Sequence, residues 1–148
     1  MKNKTNLRLL VVGYEKSEIT FLNRLFRGLI QRGFHVIIAG ADSSDNEFNH
    51  LWTPKIKQSL LSQIMAAIRL LWIFLSSPQR KWIQNQVNKG RSFKEKFGLF
   101  FRYAPFCKGS FDVIYFPWNS TAITYKGLFD LNKSIVISCR GSQLKLDP

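Results

Sequence analysis

A turn that could receive a phosphate or a sugar follows the first apolar run of the chain. Gly13 ends that run, and Lys16 and Ser17 precede a segment with helical spacing. At such a turn, backbone N–H groups and the positive end of the helix dipole point toward one place, which favours an anion. The turn is not a P-loop, because the residue directly before Lys16 is not glycine and the spacing is too short, and it is not GxGxxG. An ordinary tight turn in which Ser17 caps the helix fits equally well, and the sequence leaves both interpretations open.

Two further polar clusters also follow apolar runs. Trp118 and Asn119 could stack on a sugar ring and hydrogen-bond a hydroxyl group. A helix cap formed by Asn119 or Ser120 beside a packing tryptophan is the interpretation that we favour for this cluster, because Asn and Ser most often cap helices there.

The third cluster contains Arg140, Gly141 and Ser142. Arginine offers five N–H donors to a phosphate or an acidic sugar but cannot act as a general base at neutral pH. Gly141 would allow close approach of a ligand to the backbone, and a surface arginine in a loop is the competing interpretation. The sequence does not identify a catalytic residue. Because neither His35 nor His50 belongs to a ligand-like cluster, we predict no metal, and we predict no cofactor.

Alternating strands and helices must position these clusters. Leu7–Val12 reads as a buried strand, Ser17–Arg32 as a helix that ends at Gly33, and Val36–Ala39 as a second buried strand. This order is a βαβ unit, which opens a parallel sheet.

The pattern returns near the other end of the chain. Val113–Phe116 predicts a strand, a helix follows to about Phe129, and Ile135–Ser138 predicts another buried strand. In a parallel sheet, the three polar clusters would lie at the carboxyl edge, where open α/β sheets bind ligands. The predicted fold class is α/β: a Rossmann-like parallel sheet with flanking helices and a helical insert.

The insert spans residues 54–107. A long helix is expected after Pro54, because apolar residues recur at steps of three and four through Leu75, and a second helix is expected from Ser92 to about Arg102. We expect the apolar stripes of these helices to pack as core. The apolar run Leu70–Leu75 is too short to cross a bilayer, which takes about 20 residues.

Positive charge is concentrated in the same part of the chain. The net charge is +13, and residues 51–108 hold eleven Lys and Arg against the single acidic residue Glu95, so they supply ten of the thirteen charges. Aromatic side chains among these cations favour an anionic membrane surface as partner. Nucleic acid ranks lower as a partner, because no nucleic-acid-binding motif is present.

The sequences FDVIYFPWNS (111–120) and IVISCRGSQ (135–143) resemble the amino-terminal half of bacterial family 4 glycosyltransferases of the GT-B fold, of the exopolysaccharide or colanic-acid type. A looser similarity covers residues 16–40. Many relatives carry a histidine near the position of Arg140. The two cysteines, Cys107 and Cys139, are too few for a disulfide framework, and the short first apolar run is not a signal peptide, so we expect a cytoplasmic protein.

The resemblance implies that residues 1–148 are one acceptor-side domain, truncated at its carboxyl end. A missing second GT-B domain would supply most contacts to a nucleotide-sugar donor, and the acceptor would be a polysaccharide or a lipid-linked glycan. The resemblance also implies a donor or acceptor site at Gly13, Lys16 and Ser17, and a peripheral position on the inner face of the plasma membrane. Alone, the chain should be inactive. The alternative is a non-catalytic basic module that binds an anionic membrane or nucleic acid.

Overall fold

The computed structural model describes residues 7–14, 19–40, 48–54 and 59–138. By internal packing the chain divides into two compact units. The sheet unit contains Met1–His50 and Ser110–Pro148, and the helical unit contains Leu51–Gly109. The predicted insert 54–107 falls within the helical unit.

The strands form a five-stranded sheet of order β3-β2-β1-β4-β5. Their bounds are β1 Arg8–Val12, β2 His35–Gly40, β3 Asn49–Trp52, β4 Val113–Phe116 and β5 Ser134–Ile137. The pairings of β1 with β2, of β1 with β4 and of β4 with β5 are parallel. The predicted Rossmann-like α/β sheet is confirmed. β3 was not predicted, because its sequence NHLW begins with two polar residues.

The sheet has buried side chains on both faces, as parallel sheets require. On one face, Leu9 and Val11 of β1 pack with Leu22 and Phe26 of helix α1, which spans Ile19–Gln31. The alternate residues Leu10, Ile114 and Phe116 are also fully buried. The near-continuous apolar runs of β1 and β4 follow from this double burial.

Helix α1 ends where the sequence predicts. The backbone N–H of Gly33 donates to the carbonyl of Ile30 at 2.9 Å, and that of Phe34 donates to the carbonyl of Leu29 at 3.1 Å. These two bonds form a Schellman motif around Gly33, whose φ is +90°. The turn then leads directly into β2.

Asp112, in the FDV segment, holds the start of β4 to the start of β1. Its carboxylate accepts a hydrogen bond from the backbone N–H of Arg8 at 2.9 Å, and its own N–H donates to the carbonyl of Arg8 at 2.9 Å. The Arg8 guanidinium also donates to the hydroxyl of Ser110. These contacts lie at the amino edge of the sheet, opposite the strand ends that Gly13 and Trp118 follow.

The segment between β4 and β5 is less regular than predicted. The predicted single helix is a short helix α5, Asn119–Thr124, followed by the 3₁₀ helix Lys126–Leu131. Asn132, with φ 52°, adopts the left-handed conformation that ends it. β5 was predicted to be buried. In the structure, however, Val136 is 47% exposed and Ile137 is 40% exposed.

In the described residues of the helical unit, the helices are α2 Leu60–Ser76, α3 Arg80–Asn88 and α4 Phe93–Tyr103, followed by the 3₁₀ helix Ala104–Lys108. The two predicted helices are present as α2 and α4. α3 was not predicted, because its sequence RKWIQNQVN has few apolar residues. Across the described ranges, no helix is both long and apolar enough to cross a membrane.

The core of the helical unit lies where the helices meet. Leu70 of α2, Ile83 of α3 and Cys107 are buried there, and Phe74 packs edge-on against Phe100 of α4 with ring centroids 5.8 Å apart. The buried Ser77 hydroxyl donates to the carbonyl of Cys107 at 3.0 Å. This bond holds the end of α2 to the 3₁₀ helix.

The predicted apolar stripe of α2 is not core. We call its seven exposed large side chains the outer face of α2. They are Leu61, Ile64, Met65, Ile68, Leu71, Trp72 and Leu75. The side of α2 that packs inward is formed by Ala66, Leu70, Ile73 and Phe74. The helix therefore has two apolar sides, and only one of them is buried.

Candidate functional site

The strand order places a topological switch point between β1 and β4. From β1 the chain passes to β2 on one side, and later returns to β4 on the other side of β1. At such a point the connections leave the sheet in opposite directions, which opens a crevice beyond the carboxyl ends of the two strands. Gly13 follows β1, and Trp118 follows β4 by two residues. The switch point is therefore the candidate site.

Gly13 lies against helix α5 at this edge. Its φ is +83°, and a Cβ atom added to it would lie 2.3 Å from Cγ2 and 2.7 Å from Oγ1 of Thr121. Only glycine fits, because a side chain would meet both an unfavourable backbone conformation and a steric clash. The close approach gives Gly13 a packing reason that needs no ligand. It also fixes the β1 turn against the helix that follows β4.

Trp118 and Asn119 begin α5. Trp118 occupies the N-cap position, makes no side-chain capping bond and is half-buried. The favoured interpretation, that Asn119 or Ser120 caps the helix, is therefore wrong, because both are already helical. Within the described chain, no hydrogen bond of the Asn119 carboxamide is seen. Asn119 is half-buried shortly after the end of β4, and its carboxamide offers donors and an acceptor for a polar ligand.

Tyr14 stiffens the β1 turn. Its hydroxyl donates to the Asn23 carboxamide oxygen at 2.7 Å, and its ring packs against Phe26 with centroids 6.0 Å apart. Tyr14 and Thr121 are the site residues that sequence reasoning missed. No local pattern identifies Thr121, because its contact with Gly13 joins residues that are far apart in the chain.

The structure brings together part of the predicted site. Gly13 and the Trp118-Asn119 pair lie on the adjacent strand ends of β1 and β4. The other predicted site residues lie outside the described residues: Lys16, Ser17, Arg140, Gly141 and Ser142. Their participation stays a prediction.

The described side chains of this edge favour binding over acid–base chemistry. Tyr14, Trp118, Asn119 and Thr121 are uncharged, so they offer hydrogen bonds and an aromatic surface. Such groups suit the hydroxyl groups and apolar ring faces of a sugar. In the part of the chain that the structure describes, no three His, Cys, Asp or Glu residues cluster closely enough to hold a metal ion.

Comparison of this chain with protein family models, with curated proteins and with solved structures finds no match.

Proposed function

We propose that this chain is the amino-terminal, acceptor-side part of a glycosyltransferase, which moves a sugar from a nucleotide-sugar donor to a polysaccharide or lipid-linked acceptor. The observation that carries the proposal is the topological switch point between β1 and β4 of a parallel sheet, with Trp118 and Asn119 shortly after β4. The resemblance of residues 111–120 and 135–143 to family 4 glycosyltransferases supports it, because the first of these segments contains Trp118 and Asn119.

The roles follow from the side chains. Trp118 would pack against the apolar face of a sugar ring, and the Asn119 carboxamide would bind its hydroxyl groups. Arg140, with Gly141 and Ser142, would contact an anionic group of the donor or acceptor. Stabilisation of the departing diphosphate would come from positive groups and helix dipoles, mostly in the second domain.

Ligand titration of the full chain labelled with 5-fluorotryptophan tests the proposal. The chain has four tryptophans, and Trp118 is the one that belongs to the sheet unit. The Trp118→Phe variant assigns its fluorine resonance. The probes are oligosaccharides and the nucleoside diphosphates UDP and GDP. We expect a saturable shift of the Trp118 resonance with at least one probe, while the other three resonances stay in place.

A matched pair of variants locates the ligand. Asn119→Ala should weaken binding about two- to tenfold, which corresponds to the loss of one hydrogen bond. Ile123→Gln is the control, because Ile123 is on the same helix and 71% exposed. The proposal fails if no probe shifts Trp118 up to millimolar concentration, or if Asn119→Ala binds as tightly as the control.

A further inference from the structure

The outer face of α2 is a continuous apolar surface. At about 100° per residue, its seven side chains occupy an arc of about 120° over about 21 Å of helix length. Leu61 and Trp72 are each 71% exposed. Exposed single hydrophobic residues are common, but a contiguous apolar patch of several hundred Å² marks an interaction surface.

The outer face is not the side of α2 that packs into the core of the helical unit. The residues that pack inward, Ala66, Leu70, Ile73 and Phe74, lie on the opposite side of the same helix. Arg69 is the only charged residue of α2, and its guanidinium lies 4.2 Å from the centroid of the Trp52 ring, at the margin of the outer face. The outer face itself therefore carries no charge.

The helical unit that carries this apolar surface is also rich in exposed cations. Every described Lys and Arg of the helical unit is exposed, and they are Arg69, Arg80, Lys81, Lys89, Arg91, Lys94, Lys96, Arg102 and Lys108. Glu95 is the one carboxylate in 51–109, and it accepts a hydrogen bond from the backbone N–H of Arg91 at 2.7 Å. Cations therefore far outnumber carboxylates in this unit, and the net positive charge favours an anionic partner.

Helix α4 repeats the combination of exposed apolar and basic side chains. Phe93 is 84% exposed and Phe97 is 49% exposed, and their rings stack with centroids 6.4 Å apart. Lys94 and Lys96 flank this pair at helical spacing. An amphipathic element with aromatic residues on its apolar side and cations beside them is typical of helices that lie in a membrane interface.

We propose that the outer face of α2 docks on an anionic lipid bilayer, with α2 lying in the plane of the interface and its apolar side chains at the boundary between head groups and acyl chains. Basic residues of the helical unit would contact the lipid phosphates, each contributing about fivefold to binding near the surface. The proposal does not rest on the glycosyltransferase function.

The charge and the chemistry of the face favour a bilayer over two other partners. A second copy of the chain would bring another strongly basic helical unit against the first, and like charges repel. A nucleic acid would satisfy the cations but would leave Leu, Ile and Met side chains without an apolar partner, because bases stack on aromatic rings and Arg planes.

Vesicle binding by the full chain tests the proposal. We expect co-sedimentation with vesicles of phosphatidylglycerol and phosphatidylcholine, much weaker binding to phosphatidylcholine alone, and a decrease with added salt. In the 5-fluorotryptophan-labelled chain, lipids brominated on the acyl chains should broaden the Trp72 resonance, assigned with Trp72→Phe, more than that of Trp82, which packs against the core of the same unit. Apart from the variant used for the assignment, the measurement is made on the chain without substitutions. It also separates the proposal from the sugar titration, which reports on Trp118.

A matched pair of substitutions assigns the binding to α2. Ile68→Gln should weaken vesicle binding about fivefold, since it removes an apolar side chain from the docked surface. Ile123→Gln, the same change at an exposed position of the sheet unit, should leave it unchanged. The double variant Ile68→Gln/Leu71→Gln should lose more than tenfold. Both positions are exposed, so circular dichroism should show wild-type folding.

Several results would overturn the proposal. It fails if the chain does not bind anionic vesicles, if Ile68→Gln binds as the wild type does, or if brominated lipids leave Trp72 unchanged. A lipid-free dimer that Ile68→Gln dissociates, without vesicle binding, would assign the face to a second copy. Binding of duplex DNA without binding of vesicles would assign the unit to nucleic acid.

Discussion

A position can require glycine because its φ is positive or because a Cβ atom would clash with a neighbour. Three glycines of the sheet unit allow these two reasons to be tested separately. Gly28 lies within α1, and an added Cβ would meet no atom within 4 Å. Gly33 has φ +90° but also has open space around its Cα. Gly13 combines φ +83° with the 2.3 Å approach of Thr121. Gly28→Ala therefore meets neither a backbone nor a steric constraint. Gly33→Ala meets only the backbone constraint, and Gly13→Ala meets both.

The expected magnitudes follow from these geometries. Gly28→Ala should stabilise the protein by about 0.5–1 kcal/mol, because alanine is the better helix former. Gly33→Ala should cost about 1–2 kcal/mol for the left-handed conformation. Gly13→Ala should cost that amount and a further 1–3 kcal/mol, roughly, for the steric overlap with Thr121. The total for Gly13→Ala is about 2–5 kcal/mol.

The assay is urea unfolding followed by circular dichroism and by the fluorine resonance of Trp118, which reports on the sheet unit. Thr121→Ala provides the internal check, because it removes the two closest atoms and leaves only Cβ, at 3.0 Å. The double variant Gly13→Ala/Thr121→Ala should recover about 1–2 kcal/mol of the steric cost and none of the backbone cost. If Gly13→Ala costs no more than Gly33→Ala, or if the two changes are additive, the close approach of the β1 turn to α5 is refuted.

Four further outcomes are expected. Burial raises the pKa of the Cys107 thiol from 9.0 to about 11, so in a Cys139→Ser background its alkylation at pH 8 should be about a hundredfold slower than in the urea-unfolded chain. Because the unfolded thiol ionises first, this group's contribution to stability is complete below pH 9 and is lost as the pH rises from 9 to 11, measurable as a falling urea midpoint. Asp112→Ala should lower the free energy of unfolding by about 0.5–1.5 kcal/mol. Asp112→Asn should lower it by less, because the amide oxygen can still accept from the Arg8 N–H, and equal losses would contradict this hydrogen bond. Asn132→Ala should lower the free energy of unfolding by about 1 kcal/mol, because alanine disfavours the left-handed conformation of residue 132. Asn132→Gly should not lower it, and thermal unfolding of the two variants compares them.

Local patterns predicted the parts of the sheet that are buried on both sides. Val113–Phe116 was predicted with its observed bounds, because a short β-rich apolar run bounded by Pro117 has few alternatives. The end of α1 was predictable for a similar reason, since Gly33 can take the conformation that its Schellman motif needs. The strand β3 and the helix α3 were missed, because polar residues interrupt their apolar patterns.

For the candidate site, the sequence predicted which loops contribute residues but not the contacts between those residues. Parallel strands bring their carboxyl ends to one edge, so the pattern of strands was sufficient to place Gly13 near Trp118. It was not sufficient to identify Thr121 as the neighbour of Gly13 or to show that Trp118 takes the cap position of α5. Both depend on the angle at which α5 leaves β4, which packing sets.

The clearest division between sequence and tertiary structure is in α2. Apolar spacing by itself determined that residues 60–76 form a helix, because the period of three to four is a property of the local chain. Apolar residues occur on both sides of this helix, so the same spacing cannot show which side is buried. The contacts of Leu70 and Phe74 with α3, α4 and the 3₁₀ helix decide that question, and they leave the outer face exposed. Periodicity is local, whereas burial is a relation between elements that only the folded chain establishes.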